Sequence, residues 1–195
     1  IMPHLSLQVI HDEHTALAGL LKSLTMMIER GPGDDPEGFF DVLRAMLFYI
    51  DEFPERLHHT KETELLFPPV LRAAPELAAT LERLEADHTQ GEHAVRELQH
   101  LLLAWELLGQ TRRTAFESAA KRYLAFYSVH MRIEETEIIP AAKALLTDDD
   151  WANLDAAFAT NCDPITGKYP RDPSYDRLLT HIVMRAPAPI GLGKR

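Results

Sequence analysis

The sequence predicts an all-α protein: an up-and-down four-helix bundle over residues 1–146, with a short helical and extended C-terminal segment over 147–195 packed on it or trailing from it. Three observations predict this. Apolar residues recur at steps of three and four through four long stretches, the spacing of one helix face. Breaks bearing Pro and Gly separate those stretches. No stretch alternates convincingly with the period of two that a half-buried strand requires.

The first helix carries Leu7, Ile10, His14, Leu17, Leu21, Leu24 and Ile28, and "RGPGDDP" ends it. Asp35 before Pro36 is a good start for the second, with a capping side chain and a proline in the first turn. Val42, Leu43, Met46, Leu47 and Ile50 carry that helix towards Phe67, and Pro54 is expected to kink it, because its ring removes a backbone donor. Pro68, Pro69 and Pro75 punctuate the next connection. Leu77, Leu81, Leu84, His88, Val95, Leu98 and Leu102 mark the third helix, closed by Gly109. Phe116, Ala120, Tyr123, Tyr127, His130 and Glu134 mark the fourth, to about Leu146. "TDDDW" has the pattern of a capping box, so a short helix is expected from Asp148 to Ala159. "NCDPITGKYPRDP" reads as loop, "SYDRLLTHIV" as one more short helix, and "APAPIGLGKR" as an extended tail.

At 195 residues the chain suits one domain with an appendage and can bury a sizeable core. The formal charge of −10 argues against a broad nucleic-acid or anionic-membrane surface. A single cysteine, Cys162, excludes an intramolecular disulfide framework and a thiolate-rich metal site. No apolar run is long enough for a membrane span and no signal peptide is visible, so a cytoplasmic location is expected. Ten histidines are more than usual, and their placement carries the functional argument.

Two stretches repeat a pattern: "HHTKETELLFP" from His58 and "HMRIEETEIIP" from His130, 72 residues apart. In each, a Glu follows the His at i+4, and two apolar residues and a Pro close the stretch. Residues four apart share a helix face, so His58 with Glu62, and His130 with Glu134, each offer one imidazole and one carboxylate to the same side. One such pair is commonly a surface contact. Two, set in apolar stripes, place carboxylates inside, where they need a partner to offset desolvation. His14 and His88 align at an offset of 74, with Thr15 matching Thr89 and Leu24 matching Leu98. The chain thus reads as two helical hairpins, each giving one His from its first helix and a His–Glu pair from its second. That arrangement suits two metals, each with two His, bridged by two carboxylates; the mixed nitrogen and oxygen donors suit a borderline metal such as iron. Counted from the helix ends, His88 and His130 fall level, whereas His14 and His58 match less well. His59, one residue on, is expected to point away from His58. His11 could reach the site or bond near it, and Tyr123 and Tyr127 could lie beside the metals, although core roles are commoner for all three. His93 lies at the wrong angle to pair with His88; His4, His100 and His181 read as structural or exposed; and Glu64, Glu135 and Glu137 as a solvated face or outer contacts.

These residues resemble the hemerythrin-like family, the His-His-Glu cation-binding domains, through "HDEH", "HHTKETELLFP", "ADH" and "HMRIEETEIIP" on four successive helices, over about residues 5–146. The resemblance implies a non-haem di-iron centre inside the bundle: two Fe ions with an oxo or hydroxo bridge, His14 and His58 on one iron, His88 and His130 on the other, and Glu62 and Glu134 bridging. Oxygen-carrying hemerythrins place a second His four residues after the third-helix His; here that position is Glu92. The chain is more similar to the branch that includes bacterial iron–sulfur-centre repair proteins and an iron-sensing regulatory domain, although the Cys-bearing N-terminal extension seen in some repair proteins is not expected here.

The expected function is a di-iron protein that reacts with or senses O2, NO or peroxide, or handles iron under oxidative or nitrosative stress, with oxidase or peroxidase-like turnover as the possible enzyme activity. With four His ligands, neither iron is saturated, so air is expected to oxidise the reduced centre irreversibly. The alternatives are reversible oxygen binding and a metal-stabilised regulatory or interaction module. The expected partner is a small diatomic or peroxide ligand, with no nucleic acid and no membrane, and a homodimer is allowed for. Haem between His pairs would leave Glu62 and Glu134 unexplained, and ferritin-like bundles use the spacing Glu-x-x-His instead.

Overall fold

The computed structural model describes residues 4–166 and 172–193. Helix α1 (Leu5–Arg30) buries Val9, Ile10, Leu17, Leu21, Leu24 and Ile28 along its predicted face. Gly31 ends it at a φ of 73°, a conformation open to glycine and strained for residues with a Cβ. The Asp35 carboxylate then accepts from the Gly38 N–H at 3.0 Å and caps α2 (Pro36–Ile50).

Beyond Ile50 the chain stays helical but changes width. Wide π turns run over Asp51–His58, one α turn over His59–Lys61, and wide turns again over Glu62–Leu66, before α3 (Phe67–Ala73). The kink expected at Pro54 therefore takes the form of a widened helix. Pro54 has no N–H to give the Ile50 carbonyl, and its ring crowds that carbonyl; a wider turn relieves both problems. Pro68 stands in the same relation to Glu64, within the second widened stretch. Helix α4 (Ala78–Leu108) is regular and ends at Gly109, with φ 87°. Helix α5 (Arg113–Ile133) passes into wide turns over Glu134–Ile138 and then α6 (Ile139–Leu145), with Pro140 unable to donate to Thr136. The repeated proline is thus matched by a repeated widening directly after each His–Glu pair.

Two apolar clusters fill the bundle. One holds Leu17, Leu24, Leu43, Met46, Leu98, Trp105, Phe116 and Tyr127. The other holds Val9, Ile10, Phe67, Leu84, Ile138, Trp151 and Phe158. His14 and His130 lie in their helices at the seam between the two, each with a member of one cluster a turn before it and a member of the other a turn after it, and His88 lies between Leu84 of the second cluster, one turn before, and Val95 of the first, two turns after.

The C-terminal segment packs on the bundle. Helix α7 (Asp148–Phe158) begins with the expected capping box, Thr147 and Asp150 each bonding the other's backbone N–H. Its Trp151, Leu154 and Phe158 are buried in the same cluster as Val9 and Ile10 of α1, and Asp155 accepts from Ser6. Helix α8 (Asp176–Arg185) lies on α2, with His181 Nδ1 2.8 Å from Asp41 Oδ2. The tail is not extended. It folds back, with Leu192 N–H donating to Val183 O at 2.7 Å and Gly193 N–H to Ala186 O at 2.9 Å. A side chain at Gly191 or Gly193 would overlap the Ala186 or Arg185 carbonyl, so the missing Cβ permits this return. Of the expected loop, Gly167–Arg171 lie outside the described residues, as do Lys194 and Arg195 of the tail. Among the described residues no helix is long and apolar enough to cross a membrane, and the only β pairing is the single bridge between Pro187 and Gly193.

Candidate metal centre

The six predicted side chains meet inside the bundle. His14, His58, Glu62, His88, His130 and Glu134 are all buried, none more than 8% exposed. His58 Nε2 lies 3.0 Å from Glu62 Oε1, and His130 Nε2 3.1 Å from Glu134 Oε1, the two i, i+4 pairs. His14 Nε2 lies 3.3 Å from Glu134 Oε2 and 3.9 Å from Glu62 Oε1. His88 Nε2 lies 3.5 Å from Glu62 Oε2, 3.6 Å from Glu134 Oε1 and 3.1 Å from His130 Nε2. The height mismatch expected between His14 and His58 is gone, their ring centroids being 5.1 Å apart; the widened turns ahead of His58 reset its level.

Each of these imidazoles turns Nε2 inward and ties Nδ1 to a residue outside the cluster. His58 Nδ1 donates to Glu13 Oε2 at 2.5 Å and His14 Nδ1 to Glu135 Oε1 at 3.1 Å. His88 Nδ1 pairs with Thr63 Oγ1 at 2.8 Å, and His130 Nδ1 with Asp87 Oδ2 at 3.3 Å. Such partners fix the tautomer and orientation of a ligand histidine. None of the four is visible in helical spacing, because each comes from a tertiary contact or a neighbouring turn.

His59 corrects the sequence reading. It does not point away: it is 2% exposed, stacks on His88 at 4.3 Å and 11°, and stacks on Tyr127 at 5.2 Å and 8°. A wide turn rotates less per residue than an α turn, so His58 and His59 both face inward. Pro54, four residues before His58, was the sequence signal. His59 Nδ1 meets Glu55 Oε2 at 3.2 Å, and Tyr123 and Tyr127 donate their hydroxyls to Glu55 Oε1 at 2.6 and 2.5 Å. The two tyrosines thus reach the cluster through Glu55 and His59. Gly91 makes room for Tyr127 and Glu55, since a Cβ there would overlap the Tyr127 hydroxyl and crowd Glu55 Oε1. His11 stays at the rim, its side chain 67% exposed and 4.0 Å from Glu135.

Among the described residues, the buried side-chain atoms with no hydrogen-bond partner are His14 Nε2, His58 Nε2, both oxygens of Glu62, both oxygens of Glu134, and Asp51 Oδ1. All but the last point into this cluster. A buried polar atom without a partner costs about 1–3 kcal/mol, and these are Lewis bases, so a cation fits them. Two groups of donors are each close enough for one ion: His14, His58 and Glu62, and His59, Glu62, His88 and His130, with the atoms of each group within 4.8 Å of one another. Glu62 belongs to both.

The electrostatics agree. Burial pushes the His14 imidazole down, but the Glu134 and Glu135 carboxylates outweigh it and raise its pKa to about 9. Burial also opposes the charged form of His58, and Glu62 and Glu13 hold it well above the usual value. Burial works against an ionised Glu134, yet His130, His14 and His88 keep its pKa well below the carboxylate range. In the protein alone, the neighbouring carboxylates favour the charged forms of His14, His58 and His130, a positive charge that a metal would supply instead. His59 differs: burial and the neighbouring His88, His58 and His130 push it well down, leaving it a neutral imidazole with a lone pair to give.

Bundle and site together define a helical protein built round a buried imidazole–carboxylate centre for cations. The sequence model of the hemerythrin HHE cation binding domain matches residues 5–142, and the chain belongs to that family. The match stops within α6, before α7, α8 and the segment joining them. No curated protein matches the sequence.

Proposed function

We propose that this is a non-haem di-iron protein that reacts with or senses a small ligand such as O2, NO or peroxide. The observation that carries this reading is the pair of buried donor groups sharing Glu62 inside the bundle. In it, His14 and His58 would hold one iron, His59, His88 and His130 the other, and Glu62 and Glu134 would serve both. Mixed imidazole and carboxylate donors suit iron. An iron pair supplies electrons and open coordination places for a small ligand. The chain supplies the rest. Outer partners on Nδ1 keep four imidazoles aimed, and Phe67 and Ile138, both buried, help to exclude water. Burial raises the Glu55 carboxyl to about 7, although the Tyr123 and Tyr127 hydroxyls oppose this, so it can hold or release a proton beside His59 at neutral pH.

Reversible oxygen binding is the second reading, and His59 favours it. A third imidazole on one side restores the five-His count that "Glu92 in place of His" had removed, and leaves the iron held by His14 and His58 the more open. One experiment separates the two. The protein is loaded anaerobically with ferrous iron, its metal counted, exposed to air and then evacuated. Two irons per chain and an oxidised spectrum that persists until a reductant is added support the reactive centre. Return of the reduced form under vacuum alone makes the protein an oxygen carrier, and failure to hold two irons sinks both readings.

A further inference from the structure

We propose that the segment following the family domain completes the metal centre: Asn161 is a positioning residue that holds the Glu13–His58 pair and so sets how firmly one of the two metals is kept. The inference rests on the dimetal reading above and concerns residues outside the matched 5–142.

Asn161 is fully buried. Its Nδ2 donates to both Glu13 oxygens, at 3.0 and 3.2 Å, and Glu13 in turn accepts from His58 Nδ1 at 2.5 Å. On its other side, Asn161 Oδ1 accepts from Lys61 Nζ. Lys61 also donates to Ala157 O at 2.7 Å and to Thr160 Oγ1 at 2.9 Å, so its three protons all go to this segment. The amide can sit only one way round, because a carboxylate only accepts and an ammonium only donates. Lys61 lies between His58 and Glu62 in the chain. Asn161 therefore grips the turn bearing these two donors directly through Lys61, and grips the far nitrogen of His58 through Glu13.

The support is one-sided. Glu135, Thr63 and Asp87, which hold His14, His88 and His130, all lie within the family domain. Only His58 depends, among these four, on a residue from beyond it. Loss of Asn161 should therefore loosen the metal held by His14 and His58 and spare the other.

The test uses the full chain loaded anaerobically with two ferrous ions per molecule, in wild type, N161D and the double variant E13Q/N161D. N161D keeps the shape but sets a carboxylate against Glu13. E13Q/N161D restores a complementary contact with the donor on the opposite side. Release into a ferrous chelator and Mössbauer spectra are recorded, with metal-free unfolding midpoints as a control on folding. In N161D one iron per chain should leave about 10-fold faster or more, and one of two quadrupole doublets should change. The double variant should recover towards wild type. If N161D does not fold, N161A should show the same selective release. Equal acceleration of both irons, or none, overturns the positioning role. Wild-type protein that takes up fewer than two irons overturns the dimetal reading itself, before any variant is compared.

Discussion

His59 and Met131 occupy the same place in two otherwise matching stretches, each directly after the His of a His–Glu pair. His59 lies buried in the centre, flat against His88, while Met131 packs partly buried against the apolar cluster beside Leu124. The difference begins upstream. Wide turns precede His58, whereas α5 stays regular past His130 to Ile133 and widens only afterwards. Identical spacing thus gives one inward donor pair in the second copy and an extra imidazole in the first. Helix width ahead of the pair, which Pro54 favours, bears on which way the residue after the His faces.

The two copies share their i+4 carboxylate, and removing either should have the largest effect. Glu62→Gln and Glu134→Gln are each expected to keep the fold and lower metal affinity by roughly 100-fold or more, beyond the 10–100-fold typical of outer partners. Metal counting after dialysis against chelator checks this; unchanged stoichiometry in both would mean the carboxylates do not bridge. Making the copies alike comes next. His59→Met should weaken one of two metals by about 10–100-fold, while Met131→His should add none, because that position faces away from the centre. A gain of metal binding in Met131→His would show that width does not set direction.

Pro54→Ala tests the cause. With an N–H restored, the stretch can close to regular α turns, which should stabilise the metal-free protein by about 1–3 kcal/mol yet weaken metal binding by about 10-fold as His59 turns out. Denaturant midpoints and metal titration should therefore move in opposite directions; a parallel change would contradict the account. The smallest effect is expected from Thr63→Val, which leaves His88 Nδ1 without its partner and should cost no more than about 10-fold in affinity at that side. A competition titration against a chelator of known affinity would detect it.

The bundle was legible because helix faces were long and their breaks carried Pro or Gly. The six side chains that meet at the seam were legible because i, i+4 spacing and apolar stripes point the same way. What the sequence hid has a common origin. His59 is hidden because neighbouring residues diverge on an α-helix, and Pro54 reads in sequence as a kink rather than as wide turns. Glu13, Thr63, Asp87 and Glu135 were hidden because their roles depend on which side chains tertiary packing sets beside each imidazole. The tail's return over Ser23, whose hydroxyl donates to Pro187 O at 2.7 Å, depends on close approach at Gly191 and Gly193, which composition alone reads as looseness.

The tie between Glu13 and Asn161 also bears on when in a molecule's life the centre can form. During synthesis the first hairpin emerges with His14, the adjacent His58 and His59, and Glu62, an incomplete set open to water. Glu134 follows 72 residues after Glu62, and the amide that steadies His58 later still, at residue 161. A cation met early finds few donors and no enclosing wall; one met after release finds them all. Firm loading at His14 and His58 therefore comes late, and a truncated product that stops short of Asn161 should emerge from the ribosome able to fold its helices and to keep the metal at His88 and His130, but to hold the one at His14 and His58 less firmly.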